Sequence, residues 1–331
     1  MLTKRQNLLE CIRGGNPDRY VNQWEALASV RGNPVCDRTL DENGQMVDEW
    51  GVRYQVSGQP GRMPLEGEHL VVRDIDEWKD QLSAIPKGVW RSPAQWEPLQ
   101  EKMEAIDRTQ QIALALITPG IFERLHNLCG MADTLMAFYE SPDEVRELVK
   151  LITEVELEQA EAVCDYLRPE GILHADDWGT ATSTFMSPDM FAEFFLDSYK
   201  QVYGYYKTHG VEVLIHHSDT YAATLVPYMI EMGVDIWQGC LGHANELPKL
   251  VDQYGGQISF MGGIDSDAID KPDWTPESVK KGVYEAMDYM GMADRRKFYI
   301  PCLTQGMPIS TFPGVLEEVS KCISEYEAEH K

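Results

Sequence analysis

The sequence predicts an α/β fold, a (β/α)8 TIM barrel with an N-terminal extension, and three observations lead there. From about residue 111 onward, short apolar runs alternate with longer segments of helical period, the pattern of βα units around a parallel sheet. Polar residues suited to chemistry recur at the C-terminal ends of those runs, the rim where such barrels place their sites. A doubly wound open sheet would carry a Gly-x-Gly-x-x-Gly turn between strand and helix, and Gly262-Gly263 is too little for that. One domain over 1–331 is expected, with about 1–108 as an N-terminal elaboration or lid.

Six strands are predicted in order. They are Gln111-Ile-Ala-Leu-Ala-Leu-Ile-Thr118, Gly171-Ile-Leu-His-Ala-Asp-Asp177, Val211-Glu-Val-Leu-Ile-His216-His217, Val234-Asp-Ile-Trp-Gln-Gly-Cys240, the run ending at Gly262, and Lys297-Phe-Tyr-Ile-Pro-Cys302. Three helix starts share one signal: Ser141-Pro142, Ser187-Pro188 and Thr275-Pro276. A hydroxyl caps an orphan amide, proline is tolerated at the first helical position, and the acids that follow suit the helix dipole. The stretch Met190 to Lys207, with Phe191, Phe194, Phe195 and Tyr199 on one face, reads as a core-packed helix. Before residue 108 there is a short helix after Thr3, then turn-rich sequence in which Pro60, Gly61 and Pro64 mark loops and Tyr20–Trp24 forms a candidate strand.

With 54 acidic against 29 basic residues the net charge is −25, which repels a phosphate backbone and makes nucleic acid an unsuitable partner. No run approaches a membrane span and no N-terminal segment has signal-peptide character, so a cytoplasmic protein without membrane contact is expected. Seven irregularly spaced cysteines argue against a disulfide framework. Cys11, Cys129, Cys164 and Cys322 read as small buried hydrophobes in helices, and Cys36 is assigned no role.

His216, Cys240 and Cys302 each close an apolar strand-like run. One imidazole and two thiolates on one barrel rim would hold zinc with a fourth position open. Asp176 and Asp177 end another strand and are candidate catalytic groups with His217. A carboxylate there would orient a ligand, bind a hydroxyl or deliver a proton, or simply cap a helix. Asn22, Trp24, Glu123, His126, His174 and Trp178 are candidate substrate-binding residues, with core packing or a helix-start ion pair as the plainer alternatives.

Four segments, Gly120-Ile-Phe-Glu123, His174-Ala-Asp-Asp-Trp-Gly179, Leu214-Ile-His-His-Ser218 and Cys302-Leu-Thr-Gln-Gly-Met-Pro308, together resemble the uroporphyrinogen decarboxylase superfamily. Within it the chain is similar to the corrinoid-dependent methyltransferases. That resemblance implies a zinc site of His-x-Cys type with a further downstream Cys, and His216 and Cys302 fall at corresponding places. Ser218 stands where the motif has Cys, and a hydroxyl is a poor zinc ligand. Cys240 replaces the missing thiolate, or His217 or Asp219 contributes instead. The arginine motif with which true decarboxylases grip polycarboxylates is absent, since the region reads Val21-Asn-Gln-Trp-Glu25.

The resemblance also implies an activity. A zinc site poor in thiolate is a better Lewis acid than thiol activator, which points to O-demethylation of a small methoxylated, aromatic substrate. The methyl group would pass to the Co(I) corrinoid of a partner protein, because the chain has no cobalamin motif such as Asp-x-His-x-x-Gly. Such a partner implies an anaerobic cell. Transfer from a methylcorrinoid to a thiol, and metal-independent decarboxylation or lysis, stay open as alternatives.

Overall fold

Seven parallel strands lie side by side in chain order: β1 Leu27–Arg31, β2 Ile112–Ile117, β3 Gly171–Ala175, β4 Val213–His217, β5 Ile236–Cys240, β6 Ser259–Ile264 and β7 Tyr299–Leu303. The computed structural model describes residues 1–34, 39–40, 45–55, 63–292, 295–305 and 311–330. Cys36, Pro60, Gly61, Gly306, Met307 and Pro308 lie outside the described residues. Strands β2 to β7 are the six predicted runs, and all but β4 and β6 are buried at every position. A strand covered on both faces needs a nearly continuous apolar run, which is why these were readable.

The eighth strand of a closed barrel is not found among the described residues. Tyr20–Trp24 runs instead as a turn whose Gln23 N–H donates to the carbonyl of Pro301 at 3.2 Å. That single bond places the segment against β7, with β1 following immediately in the chain. β1 itself comes from the N-terminal region and pairs with β2 from Leu27↔Ile112 to Arg31↔Leu116. The region expected as an elaboration thus supplies part of the main sheet.

The sheet is curled, because side chains of its two edge strands share one inner cluster. Leu27 of β1 and Ile300 of β7 meet Leu114, Leu173, Ile215, Ile236 and Met261 there, with Leu8 and Cys11 of the first helix alongside. That helix, Lys4–Ile12, begins in a capping box between Thr3 and Gln6. Alternate residues face outward, where Ile172, Leu214, Trp237, Phe260 and Tyr299 pack with the surrounding helices.

Helices begin where the sequence signals placed them, at Pro142, Pro188 and Pro276. The Ser187 and Thr275 hydroxyls accept the amides of Met190 and Ser278, whereas Ser141 makes no side-chain cap bond. The expected helix from Met190 to Lys207 is present with one π turn at Ala192–Leu196. A small antiparallel sheet (Thr39–Leu40, Met46–Val47, Arg53–Tyr54) is fastened to the barrel through Arg124, which pairs with Asp48 and Glu49. The six described cysteines are free, and no described helix is long and apolar enough to cross a membrane.

Gly120 precedes the helix Ile121–Cys129, and a Cβ there would lie 2.5 Å from the buried Asp176 carboxylate. Gly120→Ala is therefore expected to cost about 2–3 kcal/mol. Gly204, inside a helix with nothing within 4 Å of an added Cβ, should give the opposite sign: Gly204→Ala gains about 0.5–1 kcal/mol. Urea denaturation of both variants checks the pair.

Candidate metal centre

The strands' period of two sorts the polar residues into two sets. Along β4, Val213 and Ile215 point into the barrel and Leu214 points out to the helices. His216 follows Leu214 outward, where its ring stacks on Trp178 with centroids 3.9 Å apart. His217 follows Ile215 inward. Along β3, His174 likewise lies outward against Tyr203, and Asp177 ends inward beside His217 and Asp219.

Asp177, His217 and Asp219 form the one group of three or more His, Cys, Asp or Glu ligands among the described residues, with ligand atoms all within 4.8 Å of one another. Asp177 and His217 come from adjacent strand ends, and Asp219 follows two residues after His217, so both project to the same side. The Asp219 amide donates to Asp177 Oδ1 at 3.1 Å, which couples the two carboxylates through the backbone. His217 Nδ1 is hydrogen-bonded to Oε1 of Gln238, a fully buried side chain of β5.

The carboxylates are crowded. Burial, then the charge of Asp177, pushes Asp219 up to about 6, and Asp267 adds to the rise. Burial and then Asp177, Asp176 and Asp219 hold Glu123 well above the ordinary glutamate range. Glu123 stands on the first turn of the helix Ile121–Cys129, and its neighbour Arg124 is engaged by Asp48 and Glu49. An imidazole with two carboxylates, surplus negative charge and no thiolate suits a divalent cation of zinc or manganese type.

The thiolate set expected from the sequence does not assemble, since the ligand atoms of His216, Cys240 and Cys302 do not lie within 4.8 Å of one another. His216 is on the outer face, and burial drives its pKa well below the usual histidine range. Cys240 follows a bulge: the β5–β6 register shifts between Gln238 and Cys240, and Gly239 has φ +95°. The extra residue reverses the alternation, so Cys240 packs on the outer side, its thiol toward the Trp237 carbonyl at 3.1 Å. Cys302 does face inward, but among apolar neighbours. Burial pushes both thiols well up, away from thiolate.

Asp176 is a structural acid. It accepts the amides of Phe122 and Glu123 at 2.9 Å each and the Tyr199 hydroxyl, capping the helix Ile121–Cys129 rather than facing the barrel mouth. His174 is an outer-face residue too, sealed between Glu156 and the Tyr203 hydroxyl; burial lowers its pKa, but Glu156 and Asp176 together raise it above the ordinary value. Trp178 is fully buried and donates to Tyr199 at 3.0 Å. Both His174 and Trp178 are fully buried on the outer face of the sheet, away from the group Asp177, His217 and Asp219.

Asn22 donates to the Ser320 carbonyl at 2.7 Å and so fastens the turn 20–24 to the helix Val315–Glu329. With Trp24 it lines a cleft of about 290 Å³ whose walls are that turn, Lys4 and the same helix, with none of the acid group's residues. Glu123 and His126, three residues apart on one helix face, remain on the side of the acid group through Glu123, and burial lowers His126 to about 4. Gln238 was missed. Its signal was a polar residue inside an otherwise apolar strand.

Residues 90–326 match the protein family described as Uroporphyrinogen decarboxylase (URO-D). The fold is similar to that of a methyltransferase from Methanosarcina mazei, at a TM-score of 0.66 and 13% identity over 98% of this chain and 99% of that one. A sugar phosphate isomerase/epimerase from Parabacteroides distasonis gives a TM-score of 0.39 at 12% identity over 69% of this chain and 80% of that one. That value carries no argument, and at 13% identity the first likeness concerns fold alone. No curated protein sequence matches the chain.

Three outcomes are expected of the candidate metal centre. His217→Ala and Asp219→Ala lower zinc affinity by about 100-fold or more, whereas His216→Ala and Cys240→Ser leave it within about threefold, as read by competition with a chromophoric chelator. Zinc binding weakens as pH falls through about 6, where protons compete for Asp219. In the metal-free protein the raised Asp219 pKa favours folding below its unfolded value, and that contribution is lost as pH rises through about 6. Asp219→Asn should therefore stabilise the metal-free protein at pH 7.5 by roughly 1–3 kcal/mol, measured by urea denaturation.

Proposed function

The chain belongs to the uroporphyrinogen decarboxylase family, and on that premise we propose that it is a zinc-dependent methyltransferase. It takes a methyl group from a small methoxylated, aromatic compound and passes it to the Co(I) corrinoid of a partner protein. The observation that carries this reading is the inward-facing group Asp177, His217 and Asp219, a donor set without thiolate at the strand ends. The name of the Methanosarcina mazei neighbour, whose fold extends over 98% of this chain, supports the reaction class.

Asp177, His217 and Asp219 would hold the metal, and zinc when bound supplies Lewis acidity toward an ether oxygen. A donor set of two carboxylates and one imidazole leaves more of that acidity available than a thiolate set does, which favours ether cleavage over thiol activation. The chain's own residues do the rest. Asp177 steadies Asp219 through its amide, and Gln238 steadies His217. Glu123 keeps its proton to higher pH than an ordinary glutamate and is the acid for the departing oxygen. The methyl carbon–oxygen bond breaks with its electron pair on oxygen, which takes the Glu123 proton. A partner's Co(I) corrinoid would supply the electron pair that takes up the methyl group.

The test is direct. Zinc-loaded protein, Co(I) cobalamin and 2-methoxyphenol should yield methylcobalamin and catechol, followed by absorbance and chromatography. Glu123→Gln is expected to slow the reaction about 10²-fold or more, and His217→Ala to abolish it. Methylcobalamin losing its methyl group to added thiols instead, or carbon dioxide released from carboxylated substrates by chelator-treated protein, would replace this reading with another.

A further inference from the structure

We propose that Gln238 is a positioning residue for His217: its amide oxygen holds the imidazole in the tautomer with a proton on Nδ1 and a bare Nε2 turned to the metal. The inference rests on the metal-site reading above. Gln238 Oε1 faces His217 Nδ1 inside the barrel, and both belong to the inward-pointing set of their strands. An amide oxygen can only accept, so the bond requires the ring proton on Nδ1. A neutral imidazole carries one such proton, which leaves the lone pair on Nε2 for a cation.

The backbone is arranged around this contact. The Ser218 amide, one residue after His217, donates to the Gln238 carbonyl at 3.0 Å and ties the two strand ends together. Gly239 then forms the bulge with φ +95°, and a Cβ there would sit 2.8 Å from the Ser218 carbonyl oxygen. A glycine is needed for this close approach.

The other end of the amide supports the same conclusion. Gln238 is fully buried, yet its Nε2 has no hydrogen-bond partner. A buried donor left unpaired is unfavourable, and an apolar side chain on this apolar strand would avoid it. The grip on His217 accounts for a glutamine at this position.

The experiment uses full-length protein with selectively ¹⁵N-labelled histidine, and His217 is assigned by loss of its signals in His217→Gln. In the metal-free wild type, His217 should show a protonated Nδ1 and a bare Nε2; the opposite tautomer overturns the proposal without any variant. Gln238→Leu should release the Nε2–H form and weaken binding of zinc alone by about 10–100-fold. Gln238→Glu, which restores an acceptor, should return the Nδ1–H form and most of the affinity. An unchanged tautomer with affinity within twofold of wild type in Gln238→Leu would sink the inference while leaving the metal site intact. Zinc binding unaffected by His217→Ala and Asp219→Ala would instead sink the metal site, and the tautomer measured without metal would still decide the role of Gln238.

Discussion

A parallel strand offers its side chains alternately to two buried environments, and the polar residues at the ends of these strands take their meaning from which one they enter. Outside the sheet lies a crowded aromatic layer, where ionisable groups are held by a few local hydrogen bonds and ring contacts. Inside, toward the C-terminal mouth, donor atoms from different strands converge. His216 and His217 are neighbours in sequence and opposites in environment. The first is stacked on Trp178 and bonded to Tyr203 at 2.9 Å; the second joins Asp177 and Asp219.

The outer set has its own task. Glu156, His174, Tyr203 and His216 form a continuous hydrogen-bonded chain from the helix Pro142–Leu167 to two adjacent strands. Asp176 does the same between the end of β3 and the start of the helix Ile121–Cys129. Breaking such a buried chain by removing one partner strands the others without solvent, so these residues fix the strand ends in register. The inner group depends on that fixity, because its ligand atoms come from positions at or just beyond the ends of β3 and β4.

Most of this fold was legible. Strands β2 to β7 announce themselves because burial on both faces demands uninterrupted apolar sequence, whereas β1 is a short edge strand with exposed positions at Ser29 and Arg31. Candidate polar groups at the ends of β3 and β4 were readable too, and Asp177, His217 and Asp219 lie together there. Parity was not. When both faces are buried, hydrophobicity no longer marks which residue points inward, and aligning His216-x-Ser218 to a His-x-Cys pattern moved the histidine by one place. His217-x-Asp219 has the same spacing on the inner face, beside Asp177. The bulge at Gly239, which turned Cys240 outward, leaves only a glycine as its trace in the sequence.

The pairing of Arg124 with Asp48 and Glu49 reaches further than the anchoring of a small sheet. It decides which of two neighbouring residues on one helical turn is neutralised from outside and which is not. Replacing Asp48 and Glu49 by their amides would leave that guanidinium without its counter-charges, one residue away from Glu123. The acid group would then draw on the Arg124 side chain as its own cation, and the barrel would be a poorer metal binder even with every ligand in place.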